Sequence, residues 1–297
     1  MPGTFAHFVL VHEAAAALTG HPEIKIAIKK FSPFALLGAN SPDFPLLVLS
    51  KTWEDLLHGP TAGAVIEPAI SLLRSLTGIQ RQRCLAWFCG YLSHMVADTT
   101  VHPAVNLRVG PYQGNETAHQ TCEVHQDAHV FSRLNIGGIK KSEYVQGMLD
   151  NCVSPRNKLA LHEEIHDFWE SMTQNAFPSE AVPNFHLWFD AYTSIVDNIA
   201  EEGDWCLIRG LTTMVGKSHL LHVNPGNADR SFIDGLANPH GKSISYDAIF
   251  DKTVENTIAA WAAVDTALVS PCPLPHPLSA LWNLNTGEIA KDQFLYW

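Results

Sequence analysis

The sequence has few cationic residues and no long apolar run, and both absences exclude classes of protein. Lys and Arg number 19 against 30 Asp and Glu, a formal charge of −11. A nucleic-acid binder is therefore not expected, because neutralising phosphates needs clustered Lys and Arg. No stretch approaches the ~18–20 apolar residues of a transmembrane segment. The first residues lack a basic segment before an apolar one. We therefore expect a soluble protein of cytoplasmic synthesis, with export by a route without a cleavable signal peptide left open.

Other absences narrow the fold class. The six cysteines form no CxxC pair, which favours small buried thiols over disulfides. Alternating strand patterns and repeats of 20–50 residues are not found. Hydrophobic residues make up 46% of the chain and charged residues 16%, which is typical of a globular protein. We predict a single all-α domain spanning residues 1–297.

Apolar residues recur at three- and four-residue spacing along most of the chain. The segment at about 81–101 is apolar on nearly all sides, so it is predicted to be a buried central helix. Pro103 is expected to limit this helix, because the residue before a proline avoids the α region. Further helices are predicted at about 5–18, 62–76, 115–134, 142–151, 155–174, 184–201, 204–220 and 246–268. Residues 31–50 are predicted to be a loop with a short helix before Gly38, and residues 223–243 a loop.

The sequence is rich in histidine, with 16 in all, and the spacing of several indicates metal binding. His94, Asp98 and His102 stand four residues apart and so share one face of the central helix. Two imidazoles on either side of a carboxylate can hold zinc, and Asp98 can bridge two ions. A core helix with a few polar residues is the alternative. It is disfavoured because a buried Asp needs partners.

A second stripe has the same spacing. His119, Glu123 and Asp127 follow one another at four-residue intervals, while His125 and His129 form a pair on a different face. One of these stripes can complete a metal site and the other would then be solvated surface. The spacing alone does not choose between a metal site and surface for this segment.

Three further candidates lie earlier in the chain. Asp43, between two prolines, is either a fixed carboxylate of a site or the stabiliser of a turn. His58 is either a ligand or an imidazole at a helix C-terminus. His7 and His12 are five residues apart, about 140° around a helix, so they cannot both face one ion.

The order of these elements resembles a known family. An N-terminal helix His, a Pro-Asp loop and a His fifteen residues on are followed by Gly-Tyr-Leu-Ser-His-x-x-x-Asp-x-x-x-His-Pro and His-x-x-x-Glu. This order resembles the zinc-dependent phospholipase C family. Its relatives include the catalytic domain of glycosylphosphatidylinositol-specific phospholipase D, and single-strand-specific zinc nucleases share its fold. The resemblance covers about residues 1–130 and leaves 131–297 as a helical elaboration.

The resemblance implies an all-α fold around a cleft that holds two or three zinc ions. It implies that Asp98 bridges two ions, that the start of the chain contributes to a third, and that Asp43 is the catalytic general base or orients water. Seven residues match the family's metal ligands: His7, His58, His94, Asp98, His102, His119 and Glu123.

The resemblance also implies a function. We expect a zinc-dependent phospholipase C that hydrolyses phospholipids of the phosphatidylcholine type to diacylglycerol and a phosphorylated headgroup, at a membrane or micelle surface. The apolar stretch Phe44–Val48 is a candidate for lipid contact, with ordinary core packing as the alternative.

Two other functions stay open. One is a zinc phosphodiesterase or nuclease acting on a soluble or single-stranded substrate, which the absence of a basic, aromatic-rich stripe disfavours. The other is a non-catalytic metal-stabilised binding module.

Overall fold

The computed structural model describes residues 3–136, 141–197, 225–270 and 273–297. The fold is all-α, as predicted. The helices are α1 (Thr4–Ala17), α2 (Pro22–Lys30), α3 (Ser32–Asn40), α4 (Phe44–Leu47), α5 (Lys51–His58), α6 (Ile66–Ser75), α7 (Gly78–Val109), α8 (Glu116–Val130), α9 (Lys141–Leu149), α10 (Glu163–Ala176), α11 (Phe185–Asp197) and α12 (Tyr246–Val269). There are two short antiparallel pairs: β1 (Leu236–Ala237) with β2 (Ser243–Ile244), which precede α12, and β3 (Glu288–Ala290) with β4 (Gln293–Phe294), which follow it.

Helix α7 is the centre of the fold, and α2, α3 and α12 pack around it. Its closest approach is to α3, where glycines replace side chains on both helices. A Cβ on Gly90 of α7 would lie 1.8 Å from the carbonyl oxygen of Ala35, and one on Gly38 of α3 would lie 2.0 Å from that of Trp87. The two backbones therefore touch directly. This contact fixes α3, and the turn that follows it, against the middle of α7.

The expected end of the central helix at Pro103 is wrong, because α7 continues through this residue to Val109. A proline inside a helix removes one N–H, here the usual partner of the Thr99 carbonyl, and this normally breaks or kinks the helix. The C-terminal part of the chain packs at this place. A Cβ on Gly287 would lie 2.4 Å from the Thr99 oxygen and 2.7 Å from Cγ of the proline. Tertiary contact thus outweighs the local preference.

Most other helices lie where the periodicity predicts them, including α1, α6, α8, α9 and α12. Two expectations were wrong in part. The segment 31–50 contains the expected short helix, but α3 continues past Gly38 to Asn40 and α4 follows it; each begins with a proline in its first turn, where no N–H partner is needed. The helix expected at 155–174 begins only at Glu163, where His162 caps it by accepting the Glu164 N–H at 3.3 Å. The predicted helix at 204–220 and the end of that at 184–201 lie outside the described residues.

The described cysteines, Cys84, Cys89, Cys122 and Cys152, are buried free thiols, as predicted. Burial raises the pKa of each. Cys206 and Cys272 fall outside the part of the chain that the structure describes. Among the helices listed above, none is both long and apolar enough to cross a bilayer.

Candidate metal centre

The predicted stripe on α7 lies on a buried face. His94 and Asp98 are fully buried and His102 is 2% exposed. Nδ1 of His94 donates to the carbonyl of Ala39 at 2.8 Å, because a carbonyl oxygen can only accept. This leaves Nε2 to face the interior of the site, 3.5 Å from Oδ2 of Asp98. The helix therefore presents an imidazole nitrogen and a carboxylate to the same small volume.

Helix α1 brings His7 to the same place. Its ring stacks on that of His94, with 4.1 Å between centroids and 11° between planes. One ligand atom each of His7, His94 and Asp98 lie within 4.8 Å of one another. Burial lowers the pKa of His7, and the neighbouring His94 lowers it further, to about 3. The ring is therefore neutral at physiological pH, the state in which an imidazole binds metal.

Asp43 and His58 complete this group from the other side. Asp43 ends the short 3-10 turn Ser41–Asp43 directly after α3, and its Oδ1 lies 3.1 Å from Nε2 of His58 and 3.3 Å from Nε2 of His94. Nδ1 of His58 donates to the carbonyl of Glu54 at 3.2 Å. One ligand atom from each of Asp43, His58 and His94 lies within 4.8 Å of the other two, so the three side chains can face one ion.

The charges of this group favour a cation. Burial alone would raise the pKa of Asp43, but His94 and His58 hold it well below its usual range. Burial would also raise the pKa of Asp98, and His94 and His102 depress it instead. Conversely, burial would lower the pKa of His94, yet the two carboxylates raise it to about 10. Two ionised carboxylates therefore create a strongly negative potential at buried imidazole nitrogens.

A second group lies one helical turn further along α7. Oε1 of Glu123 is 3.5 Å from Nε2 of His102 and 3.8 Å from Nδ1 of His119. The far nitrogens are held by backbone: Nε2 of His119 donates to the carbonyl of Gly110 at 2.7 Å, and Nδ1 of His102 donates to that of Leu284. Burial would raise the pKa of Glu123, but neighbouring groups that include both imidazoles lower it to about 2.

The remaining candidates of the sequence have other partners. His12 contacts the hydroxyl of a tyrosine at 2.7 Å, His125 accepts a backbone N–H at 2.9 Å, and His129 contacts an aspartate of α12 at 2.9 Å. Asp127 accepts the backbone N–H of Ala6 at 2.7 Å. The last contact holds the start of α1 and so positions the helix that carries the stacked imidazole.

A family model described as zinc dependent phospholipase C matches residues 6–178, more than half of the chain. The chain belongs to the zinc-dependent phospholipase C family. No curated protein and no solved structure matches it significantly. The match contains every residue that the sequence predicts for the metal centre, and it ends well before the C-terminal segment that contacts His102.

The donor atoms fit the zinc that this family is named for. Buried side-chain atoms normally have hydrogen-bond partners, and each one without a partner costs about 1–3 kcal/mol. Within the described residues, seven such atoms of the two groups lack one: Nδ1 and Nε2 of His7, Nε2 of His94, both carboxylate oxygens of Asp98, Nε2 of His102 and Nδ1 of His119. Imidazole nitrogens and carboxylate oxygens are ligands that zinc prefers.

A cleft of about 580 Å³ opens onto these groups through His58 and His102. One wall carries charged residues of α5 and α8, and the opposite wall is formed by residues that follow α12. The second wall was not predicted, because it is formed by an irregular segment without a motif. The cleft is lined by Leu46, Lys51, Glu54, Asp55, His58, Pro60, His102, Asn106, Pro111, Tyr112, Gln113, Glu116, Asn283, Asn285 and Thr286.

Proposed function

We propose that this member of the family is a phospholipase C that hydrolyses phosphatidylcholine-like phospholipids to diacylglycerol and a phosphorylated headgroup. One observation carries the proposal: buried nitrogen and oxygen atoms without hydrogen-bond partners in the described chain form two groups that reach an open cleft through His58 and His102, and the Asp43 carboxylate lies 3.3 Å from Nε2 of His94. Zinc bound to these atoms would supply a Lewis acid for the phosphoryl oxygens and lower the pKa of water.

The proposed ligands form the two groups described above, and two or three ions are proposed. The ligands are His7, His58, His94, Asp98, His102, His119 and Glu123. Asp98 is the proposed bridge, because it is fully buried and both of its oxygens lack a hydrogen-bond partner within the described chain. The imidazoles of His94, His102 and His119 are each held by a backbone carbonyl through the nitrogen that faces away from the centre. This fixes the tautomer and the ring orientation.

Asp43 is the proposed general base. Its side chain is 22% exposed, whereas that of Asp98 is fully buried, so of these two carboxylates only Asp43 is accessible to water. Its depressed pKa keeps it ionised at neutral pH. In the proposed step it takes a proton from the attacking water, whose oxygen forms the new bond to phosphorus. The bond between phosphorus and the glycerol oxygen breaks, and that oxygen takes up a proton as diacylglycerol leaves.

The rim of the cleft supports a cationic headgroup. Among the described residues that line the cleft, the carboxylates are Glu54, Asp55 and Glu116, and Lys51 is the one lysine or arginine, with its Nζ 3.3 Å from Glu54 and 2.9 Å from Asp55. The net negative rim attracts a quaternary ammonium group and repels a polyanion such as single-stranded DNA. Tyr112 lines the same cleft and adds an aromatic face, which a cation of this kind also favours.

An apolar turn beside the cleft supports contact with a lipid surface. Phe44 is fully buried in the core, where its ring stacks on that of Tyr192 at 4.7 Å. The residues after it, Leu46–Leu49, form a turn that becomes progressively exposed; we call it the leucine turn. Leu46 lines the cleft and Leu49 is 61% exposed. A lipid that reaches the proposed metal ligands would therefore pass an apolar edge.

The test is hydrolysis of phosphatidylcholine in mixed micelles, with the released phosphocholine and diacylglycerol measured together. We expect activity to be lost with a chelator and restored by zinc, and elemental analysis to show two or three zinc ions per chain. Bis(p-nitrophenyl) phosphate and single-stranded DNA serve as comparison substrates. Preferential hydrolysis of either would favour the soluble-substrate alternative, and bound zinc without any hydrolysis would favour a binding module. Chelator-insensitive hydrolysis or a metal-free protein would overturn the proposal.

A further inference from the structure

A turn near the C-terminal end of the described chain, Trp282–Gly287, contacts both groups of proposed ligands; we call it the C-terminal turn. The carbonyl of Leu284 accepts the Nδ1–H of His102. The N–H groups of Leu284 and Asn285 both donate to the carbonyl of His58, at 2.9 and 3.1 Å. One short segment thus bonds to a member of each group, although it lies more than 100 residues beyond the family match.

These bonds act on the ligands in two ways. The carbonyl of Leu284 fixes the proton of His102 on Nδ1, so the lone pair is on Nε2, the atom that faces Glu123 at 3.5 Å. His58 is the last residue of α5, where carbonyls lack partners within the helix. Two N–H groups of the turn satisfy this carbonyl and so hold the end of the helix, with its imidazole, in place.

The C-terminal turn is itself anchored on α7. Gly287, at φ +70, sits so close to the Thr99 carbonyl that a Cβ would lie 2.4 Å from it. Asn106, one turn beyond His102, donates from Nδ2 to the carbonyl of Asn285 at 2.9 Å. The residues that anchor the turn are therefore on the same helix as the proposed ligands, on either side of His102.

We propose that the C-terminal turn is a positioning element of the metal centre, and that it sets the affinity of the group His102, His119 and Glu123 for its ion. This inference rests on the proposed function, because it takes His102 as a ligand. Groups that hold the far nitrogen of a metal-binding imidazole typically contribute 10–100-fold to metal affinity. Leu284 and Asn285 act through His102 and His58, so they are positioning residues rather than ligands.

The experiment compares two glycine substitutions. In Gly287→Ala the new Cβ displaces the turn from α7, whereas in Gly241→Ala, at φ +74, nothing lies within 4 Å of the new atom. Both variants carry the same backbone strain, so only the first moves the turn. Each purified protein is titrated with a chromophoric chelator, and the zinc remaining per chain is counted. We expect Gly287→Ala to lose one ion at an about 10–100-fold lower chelator concentration, with Gly241→Ala like the wild type.

A second variant tests the same inference without a steric clash. Asn106→Ala removes the donor to the Asn285 carbonyl, and we expect the same ion to bind less tightly. The melting temperature of the metal-free proteins separates positioning from general damage: a structural role alone would lower it without selective loss of one ion. Unchanged zinc retention in both variants would overturn the inference. Absence of zinc from the wild type would instead overturn the proposed function.

Discussion

The imidazole of His7 stacks on that of His94, 4.1 Å away, and neither nitrogen of His7 has a hydrogen-bond partner among the described residues. The first helix and the central helix thus meet through two polar rings in a place where both are fully buried. Such a contact is unfavourable in a protein without metal, because unpartnered buried nitrogens cost free energy. A cation that binds these nitrogens removes the cost.

The variant His7→Phe separates the cost of the unpartnered nitrogens from the stabilisation by a bound cation. Phe retains the aromatic stack and removes both nitrogens, so we expect the metal-free variant to be more stable than the metal-free wild type by about 1–3 kcal/mol. The stabilisation gained on adding zinc should be smaller in the variant. Thermal unfolding with chelator and with zinc measures both effects. His12→Phe, on the exposed part of the same helix, is the control, and it should leave the zinc effect unchanged. An equal zinc effect in His7→Phe would contradict the proposal for this residue.

The two aspartates of the centre should respond differently to the loss of charge. We expect Asp43→Asn to retain zinc while turnover falls about 10²–10⁴-fold, which is the usual contribution of a general base. Asp98→Asn should lose zinc, because its oxygens are buried and have no other partners within the described chain. Elemental analysis and initial rates on micelles, measured on the same samples, distinguish the two. Full turnover by Asp43→Asn would exclude the role of base.

The contact between α3 and α7 makes Gly90 intolerant of a single methyl group. Gly90→Ala would place a Cβ 1.8 Å from the Ala35 carbonyl, so we expect a loss of about 1–3 kcal/mol in the free energy of unfolding. The control is Gly147→Ala in α9, where nothing lies within 4 Å of the new atom. There the better helix propensity of Ala should stabilise by up to about 1 kcal/mol. Denaturant unfolding of both variants measures the difference, and equal stabilities would contradict the direct backbone contact.

In the leucine turn, Leu49 is expected to lower the stability of the fold and to increase binding to lipid. Leu49 has φ +54, a left-handed conformation that costs a leucine roughly 1–2 kcal/mol and that Asn adopts readily. We therefore expect Leu49→Asn to raise the melting temperature and to lower binding to phosphatidylcholine vesicles. Leu159→Asn, at a residue 82% exposed, is the control and should change neither. Undiminished vesicle binding by Leu49→Asn would remove the leucine turn from the proposed lipid contact.

An ion pair away from the cleft gives an acid-dependent contribution to stability. Burial would raise the pKa of Asp247, but hydrogen bonds from His129 and Arg133 lower it below its usual value. A lowered pKa stabilises the folded state above the usual pKa of an aspartate, and this stabilisation is lost as the pH falls through the lowered value. The difference in melting temperature between wild type and Asp247→Asn should therefore shrink from pH 6 to pH 2. The more exposed Asp251→Asn is the control, with a smaller change expected over the same range.

The sequence predicted the residues that the structure brings together better than it predicted the boundaries of the elements. Four-residue spacing placed His94, Asp98 and His102 on one face because a helix repeats every 3.6 residues, and burial of that face followed from its apolar neighbours. Local features named His7 and Asp43 only as candidates with alternatives, and it was the order of motifs that assigned them to the site. No local rule says that a first helix and a loop 36 residues later meet at the same point.

The C-terminal turn was not predictable in this way. Its contacts are backbone N–H and carbonyl groups, which every residue carries, so the segment has no distinguishing composition. The extension of α7 past Pro103 was missed for a related reason: the contact with Gly287 is formed across 184 residues of sequence, and single-sequence patterns report only near neighbours. The helices predicted within residues 198–224 stay a prediction, since the structure does not describe these residues.

The bond between His102 and the Leu284 carbonyl also bears on when the centre can form. The two residues are separated by 182 positions, so a ribosome has almost finished this sequence before the partner of the imidazole exists. The group His102, His119 and Glu123 therefore cannot take the arrangement seen in the structure until the segment around residue 284 has been translated, whereas His7, His94 and Asp98 all belong to the first hundred residues.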